Sequence, residues 1–126
     1  MNNLNRRQQE AAKYINGPLL VLAGAGSGKT SVITRKIAYL IEECGIKAHK
    51  IYAVTFTNKA AREMKERVSK LVNGQAAKGL TVSTFHTLGL TMLRHELAAS
   101  GLKNNFSILD SDDCQRLLSE LLHKDN

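Results

Sequence analysis

Long apolar runs are missing from this 126-residue chain. The longest, Leu19-Leu20-Val21-Leu22-Ala23, is far too short to cross a bilayer, which takes about 20 apolar residues. The opening Met1-Asn2-Asn3-Leu4-Asn5-Arg6-Arg7 has no apolar centre and does not read as a secretory leader. Cysteine is scarce. Cys44 and Cys114 lie far apart without a C-x-x-C spacing, which argues against a disulfide framework and suits a reducing compartment. His49, His86, His95 and His123 show no metal-ligand spacing. Internal repeats and low-complexity tracts are absent. A cytoplasmic protein with no membrane partner is expected.

What is present is ordinary for a globular protein: 43% hydrophobic and 23% charged residues, enough for one domain of modest size. The charge is one-sided. Residues 1–70 hold 13 basic and 5 acidic side chains, whereas residues 71–126 hold 5 and 6. Such a basic half fits a polyanionic partner larger than a single nucleotide, or else a solvated basic helix face.

The most informative stretch is Ala23-Gly24-Ala25-Gly26-Ser27-Gly28-Lys29-Thr30. It follows the apolar run and opens a helical pattern, the strand, glycine-rich loop and helix order of a phosphate-binding P-loop. Glycines let the backbone approach phosphate closely, successive N–H groups point at the anion, and the helix start adds partial positive charge. Lys29 is placed to reach the β- and γ-phosphates, and the Thr30 hydroxyl to ligate Mg²⁺. Ala23 stands where the consensus has glycine.

Periodicity places the remaining elements. Asn5 to Asn16 reads as a short helix, with Asn5 as N-cap, Gln8 completing a capping box and Gly17-Pro18 ending it. A strand is expected at Leu19–Ala23. A helix follows from about Gly28 to Cys44, stopped by Gly45, with Ile33, Ile37 and Ile41 on its apolar face. Ile51–Phe56 reads as a second, buried strand, and Thr57 or Asn58 caps a helix to Val72 with Ala61, Met64, Val68 and Leu71 inward. A third strand is expected at Leu80–Ser83. The next helix reaches about Ser100, with Leu90, Leu93 and Leu97 as its core face. Phe106–Leu109 is a brief extended segment, and a last helix near Ser111 turns Cys114, Leu117, Leu118, Leu121 and Leu122 to one side. The alternation predicts a three-layer α/β domain with a parallel sheet.

A P-loop hydrolase also uses an acid at the end of another apolar strand. Asp110 is the sole candidate here. It makes either a small self-contained phosphotransferase or simply a cap for the helix that begins Ser111-Asp112-Asp113. A third possibility is a module that binds nucleotide or DNA and never hydrolyses. The chain reads as part of something larger, and alone is expected not to hydrolyse ATP.

Several motifs together resemble one family. Leu4-Asn5-Arg6-Arg7-Gln8 resembles a Q motif, and Ala23–Thr30 resembles motif I in a form where alanine is usual first. Ala53 to Met64 resembles motif Ia, and Ser83-Thr84-Phe85-His86-Thr87-Leu88-Gly89 resembles the DNA-contacting motif that follows it. In this order they resemble the start of domain 1A of the superfamily 1A DNA helicases, the UvrD/Rep/PcrA kind, and most of all its Rep group.

The resemblance implies an incomplete RecA-like P-loop domain over residues 1–109 and the start of a helical insertion, domain 1B, over residues 110–126. It implies ATP and Mg²⁺ as cofactors, single-stranded DNA and duplex junctions as partners, and ATP-driven 3′ to 5′ translocation and unwinding in the complete protein. Gln8 is implied to read adenine. Ala25, Gly26, Ser27, Gly28, Lys29, Thr30 and Ser31 are implied to surround the nucleotide. Phe56, Thr57, Asn58, Lys59, Thr84 and His86 are implied to line the DNA track. Ser31 departs from the arginine usual in the family at that position, and a hydroxymethyl group cannot stack on a base. Local alternatives stand beside these roles: Gln8 as a cap, Phe56 in the core, His86 buried at a helix start, Lys59 merely solvated.

Overall fold

The computed structural model describes residues 4–26 and 28–125. They form two compact units, one through residue 89 and the other from residue 90.

In the first unit, α1 (Arg6–Lys13) starts at Asn5. The Gln8 N–H donates to Asn5 Oδ1 and the Asn5 N–H donates to Gln8 Oε1, both at 2.9 Å, so the expected capping box forms. Helix α2 (Lys29–Glu42) follows the glycine loop. Its end is set by Gly45, whose φ of +67° lets the Ile46 N–H return to the Leu40 carbonyl at 2.9 Å. A 3₁₀ turn at Ala48–Lys50 leads into β1 (Tyr52–Thr55). Thr57 caps α3 (Asn58–Leu71), its Oγ1 accepting the Ala60 N–H at 3.1 Å, and α3 crosses over to β2 (Thr81–Thr84).

Strands β1 and β2 pair in parallel, with Tyr52 opposite Thr81 and Thr55 opposite Thr84. Parallel neighbours need a crossover, and α3 supplies it. The core lies where α3 meets the sheet and α2: Ile37, Ala38, Ala48, Ile51, Ala53, Met64, Val68, Val72 and Leu80 are buried together. Val68 has no exposed surface at all. The Ala61, Met64 and Val68 stripe is therefore the inward face of α3, as its period requires.

The expected strand at Leu19–Ala23 is not formed. Those residues have no regular secondary structure, and Leu20 and Leu22 are 82% and 88% exposed. A parallel strand is held by ladder hydrogen bonds and by cover on both faces. Among the described residues β1 and β2 pair only with each other, so this apolar run has no neighbour to join. The sheet thus has two strands rather than three, and the architecture is a mixed α/β arrangement consistent with an incomplete RecA-like domain. On α2, Ile37 is buried and Ile41 packs at the core margin, but Ile33 is exposed.

Helix α4 (Phe85–His95) begins in the first unit and ends in the second. The single expected helix to Ser100 is interrupted at Glu96, with α5 (Leu97–Ser100) beyond it. Phe106–Leu109 forms no strand. In α6 (Ser111–Lys124), Asp110 is the N-cap: its Oδ1 accepts the Asp113 N–H at 2.8 Å, and the Asp110 N–H donates to Asp113 Oδ2 at 3.2 Å. The capping alternative for Asp110 is the one realised. Leu117, Leu118, Leu121 and Leu122 of α6 are all exposed.

The division between covered and uncovered apolar residues is testable by denaturant titration. Met64→Ala is expected to cost about 2–5 kcal/mol of stability through lost burial and a residual cavity. Leu118→Ala, on the open face of α6, is expected to change it by less than about 0.5 kcal/mol.

Candidate functional site

The capping box at the start of α1 does more than close a helix. It holds the Gln8 side chain so that its amide faces the glycine loop: a Cβ placed on Gly28 would lie 3.1 Å from Gln8 Nε2. The amide oxygen accepts the Asn5 N–H, and the amide nitrogen is the atom that lies nearest the Gly28 position. Residues remote in sequence are thereby brought together at the start of α2.

Gly26 and Gly28 have φ of +74° and +81°, the left-handed region that lets the loop fold back on itself. Gly28 occupies the N-cap position of α2 and offers no side-chain cap, and the first turn has no acidic residue. The leading N–H groups and the positive end of the helix therefore face outward without a carboxylate to neutralise them. Lys29, Thr30 and Ser31 are exposed on that first turn, and Ala25 and Gly26 in the loop before it. Ser27 lies outside the described residues. The buried Thr34 hydroxyl sits within 3.0 Å of both the Thr30 and Ser31 carbonyl oxygens, packing the turn that carries them. A cleft of about 810 Å³ runs between α1, the segment before the loop, and α2, with Gln8, Leu22 and Lys29 in its wall. Backbone donors, a lysine and a helix start in one place can hold a polyphosphate.

The second group of residues is placed by the sheet. Thr55 and Thr84 are register partners at the carboxyl ends of β1 and β2, so the residues after them emerge side by side. These are Phe56 and Phe85, with ring centroids 5.6 Å apart and planes tilted by 44°. Phe56 is 91% exposed and Phe85 57%, so Phe56 is not a core residue. Two exposed rings in contact form an apolar platform of the kind on which bases stack.

The polar neighbours divide by role. Asn58 and Lys59 are exposed on the first turn of α3, and His86 on that of α4. Thr57 is exposed too, but its Oγ1 caps α3 and its carbonyl accepts the Thr55 hydroxyl at 3.0 Å. Thr84 is buried. Its hydroxyl bonds that of Thr87 at 2.9 Å and accepts the Thr87 N–H at 3.3 Å, doing the work of a cap for α4. The sheet therefore brings Phe56, Asn58, Lys59 and His86 to the surface and keeps the Thr84 side chain inside.

Phe85 was not among the residues singled out from sequence. The signal was available: Thr55-Phe56 and Thr84-Phe85 repeat one dipeptide at two strand ends.

Residues 4–126 match the family described as the UvrD/REP helicase N-terminal domain. The chain is 60% identical over 118 residues to the ATP-dependent DNA helicase Rep of Salmonella typhimurium and to that of Escherichia coli, a stretch covering 94% of this chain and 18% of each relative. It is 47% identical over 126 residues to the ATP-dependent DNA helicase PcrA of Staphylococcus aureus, covering 100% of this chain and 17% of that relative. The chain thus spans less than a fifth of the length of these proteins.

The approach of Gln8 to Gly28 has a measurable signature. Gly28→Ala is expected to lose about 1–2 kcal/mol for its left-handed backbone, with a further loss from the crowded amide. Gln8→Ala should relieve only that further loss, so the double variant should be non-additive in denaturant unfolding. Strict additivity would mean the two residues do not touch.

Proposed function

We propose, since this chain belongs to the UvrD/REP helicase N-terminal domain family, that it supplies part of the ATP-binding, DNA-contacting domain of an ATP-dependent DNA helicase. In that reading residues 1–109 belong to the RecA-like domain 1A and residues 110–126 begin the helical domain 1B. ATP hydrolysis drives closure and opening of two such domains, and each cycle alternates their grip on a single strand, giving 3′ to 5′ translocation and unwinding at duplex junctions. The place of action is the cytoplasm. No helix among the described residues is long and apolar enough to cross a membrane.

The nucleotide half follows from the loop. The backbone of Ala25 to Gly28 and the start of α2 hold phosphate, and Lys29 adds a charge-assisted contact to the β- and γ-phosphates. The exposed Thr30 hydroxyl, next to Lys29, would hold a Mg²⁺, which would offset phosphate charge. No group of His, Cys, Asp and Glu among the described residues forms an all-protein metal cage, which is the usual case for magnesium at a phosphate site. Ser31 offers the base no plane, and Gln8, which reaches the glycine loop, is assigned to the base.

The observation that carries the DNA half is the pair of exposed rings, Phe56 and Phe85, at the carboxyl end of the parallel strands. Ligands collect at that end of open α/β sheets. Asn58, Lys59 and His86 lie within the same two helix starts, where phosphates find donors and charge. Phe85 joins Phe56 as a stacking residue. Thr84 acts through its cap rather than by touching the strand. The self-contained phosphotransferase reading loses its support, because Asp110 is a helix cap.

Two measurements test this. Lys29→Ala should weaken triphosphate binding by about 1.5–3 kcal/mol in calorimetry and leave adenosine unaffected. Equal losses for both would remove the phosphate role. In fluorescence anisotropy with labelled oligo-dT across a salt series, Phe56→Ala should lose roughly 1–3 kcal/mol with little change in salt slope. Lys59→Ala should instead reduce that slope by about one phosphate contact. If neither substitution alters binding, the rings and the lysine are not on the DNA track.

A further inference from the structure

Lys36 lies in α2, seven residues after Lys29 and therefore about two turns further along the same helix face. Its ammonium is turned onto the end of α1. Nζ donates to the Ala11 carbonyl at 3.0 Å and to the Tyr14 carbonyl. Ala11 is in the last turn of α1 and Tyr14 is its C-cap, so these carbonyls are among those a helix end leaves without intrahelical partners. A cation there also meets the negative end of the helix. Two of the three ammonium donors are thus occupied by α1 backbone.

The opposite end of α1 carries Gln8. Gln8 and Ala11 are three residues apart, on one face of the helix, and both line the cleft shared with Lys29 and Lys36. Two matched faces result. On α1, Gln8 approaches the glycine loop and Ala11 meets the clamp. On α2, Lys29 stands beside the loop and Lys36 makes the clamp. The helix α1 is eight residues long, short enough that fixing one end fixes the other.

We propose that Lys36 is a positioning residue for nucleobase recognition: by clamping the carboxyl end of α1 to α2 it sets the Gln8 amide against the phosphate loop. It touches no substrate. The assignment rests on the reading of Gln8 as the residue that recognises the base. Ser31 cannot stack on a base, so the placement of the Gln8 amide bears on how well the base is held, and the clamp acts on nucleotide affinity rather than on phosphate transfer.

The test uses the full-length protein with oligo-dT, comparing Lys36→Met, Gln8→Ala, the double variant and Lys36→Arg. KM and kcat for ATP are measured, with inhibition by inorganic tripolyphosphate, which has the phosphates and no base. Lys36→Met should raise KM for ATP about five- to tenfold, as expected for losing the uncharged hydrogen bond from Gln8 to the base, and leave kcat within about twofold. Tripolyphosphate inhibition should stay unchanged. Lys36→Arg, which keeps a donor cation, should restore KM to within about twofold. Adding Lys36→Met to Gln8→Ala should change nothing further. Should Lys36→Met not fold, Lys36→Gln carries the same comparison, with thermal melting recorded for each variant. Equal weakening of ATP and tripolyphosphate, or multiplying effects in the double variant, would overturn the proposal. If Gln8→Ala raises KM and Lys36→Met does not, the clamp alone is refuted. If Gln8→Ala leaves KM unchanged, the base-reading role of Gln8 falls and the proposal falls with it.

Discussion

Everything on the exposed edge of the first unit depends on a short parallel ladder, from Tyr52 opposite Thr81 to Thr55 opposite Thr84. A slip of one residue would send each strand's side chains to the opposite face. It would bury the rings or part them. The register is held by the core below it, since Ala53, Met64, Val68 and Leu80 lock α3 onto both strands. The ladder and the core are one constraint: the crossover that makes the strands parallel is the helix that buries them.

From that constraint comes a simple arrangement of chemistry. Chain leaving β1 turns at Thr57 into α3, and chain leaving β2 enters α4 directly. The glycine loop enters α2 in its turn. Each candidate contact therefore sits at a helix start, where backbone N–H groups and the positive end of the helix are available to anions. The caps are built from Thr57 and Thr84 beside the exposed rings and from no side chain at Gly28. That difference has a use. A capped start is a rigid support for neighbouring side chains, whereas an uncapped start leaves its own amides for a ligand.

The apolar pattern of the chain records more burial than its described residues supply. Leu19–Ala23 and the leucines of α6 have the composition of covered elements, and both are open. Periodicity reports which face an element turns inward but not what lies on the other side. A helix such as α6 forms anyway, because its hydrogen bonds are internal and Asp110 and Asp113 close its first turn. A strand cannot, because its hydrogen bonds belong to a neighbour. The same limit explains why one expectation failed at the element level and the other only at the level of burial.

Local chemistry was legible in the residues alone. The capping boxes at Asn5 and Asp110, the cap at Thr57, the stop at Gly45 and the glycine loop before Lys29 all depend on groups within a few residues of each other. So did the inward stripe of α3, which follows from helical period. Tertiary structure alone decided that Phe56 is exposed and meets Phe85, that Gln8 lies against Gly28, and that Lys36 closes the end of α1. Those contacts join residues far apart in sequence, and their distances depend on strand register and helix packing, which no single segment carries by itself.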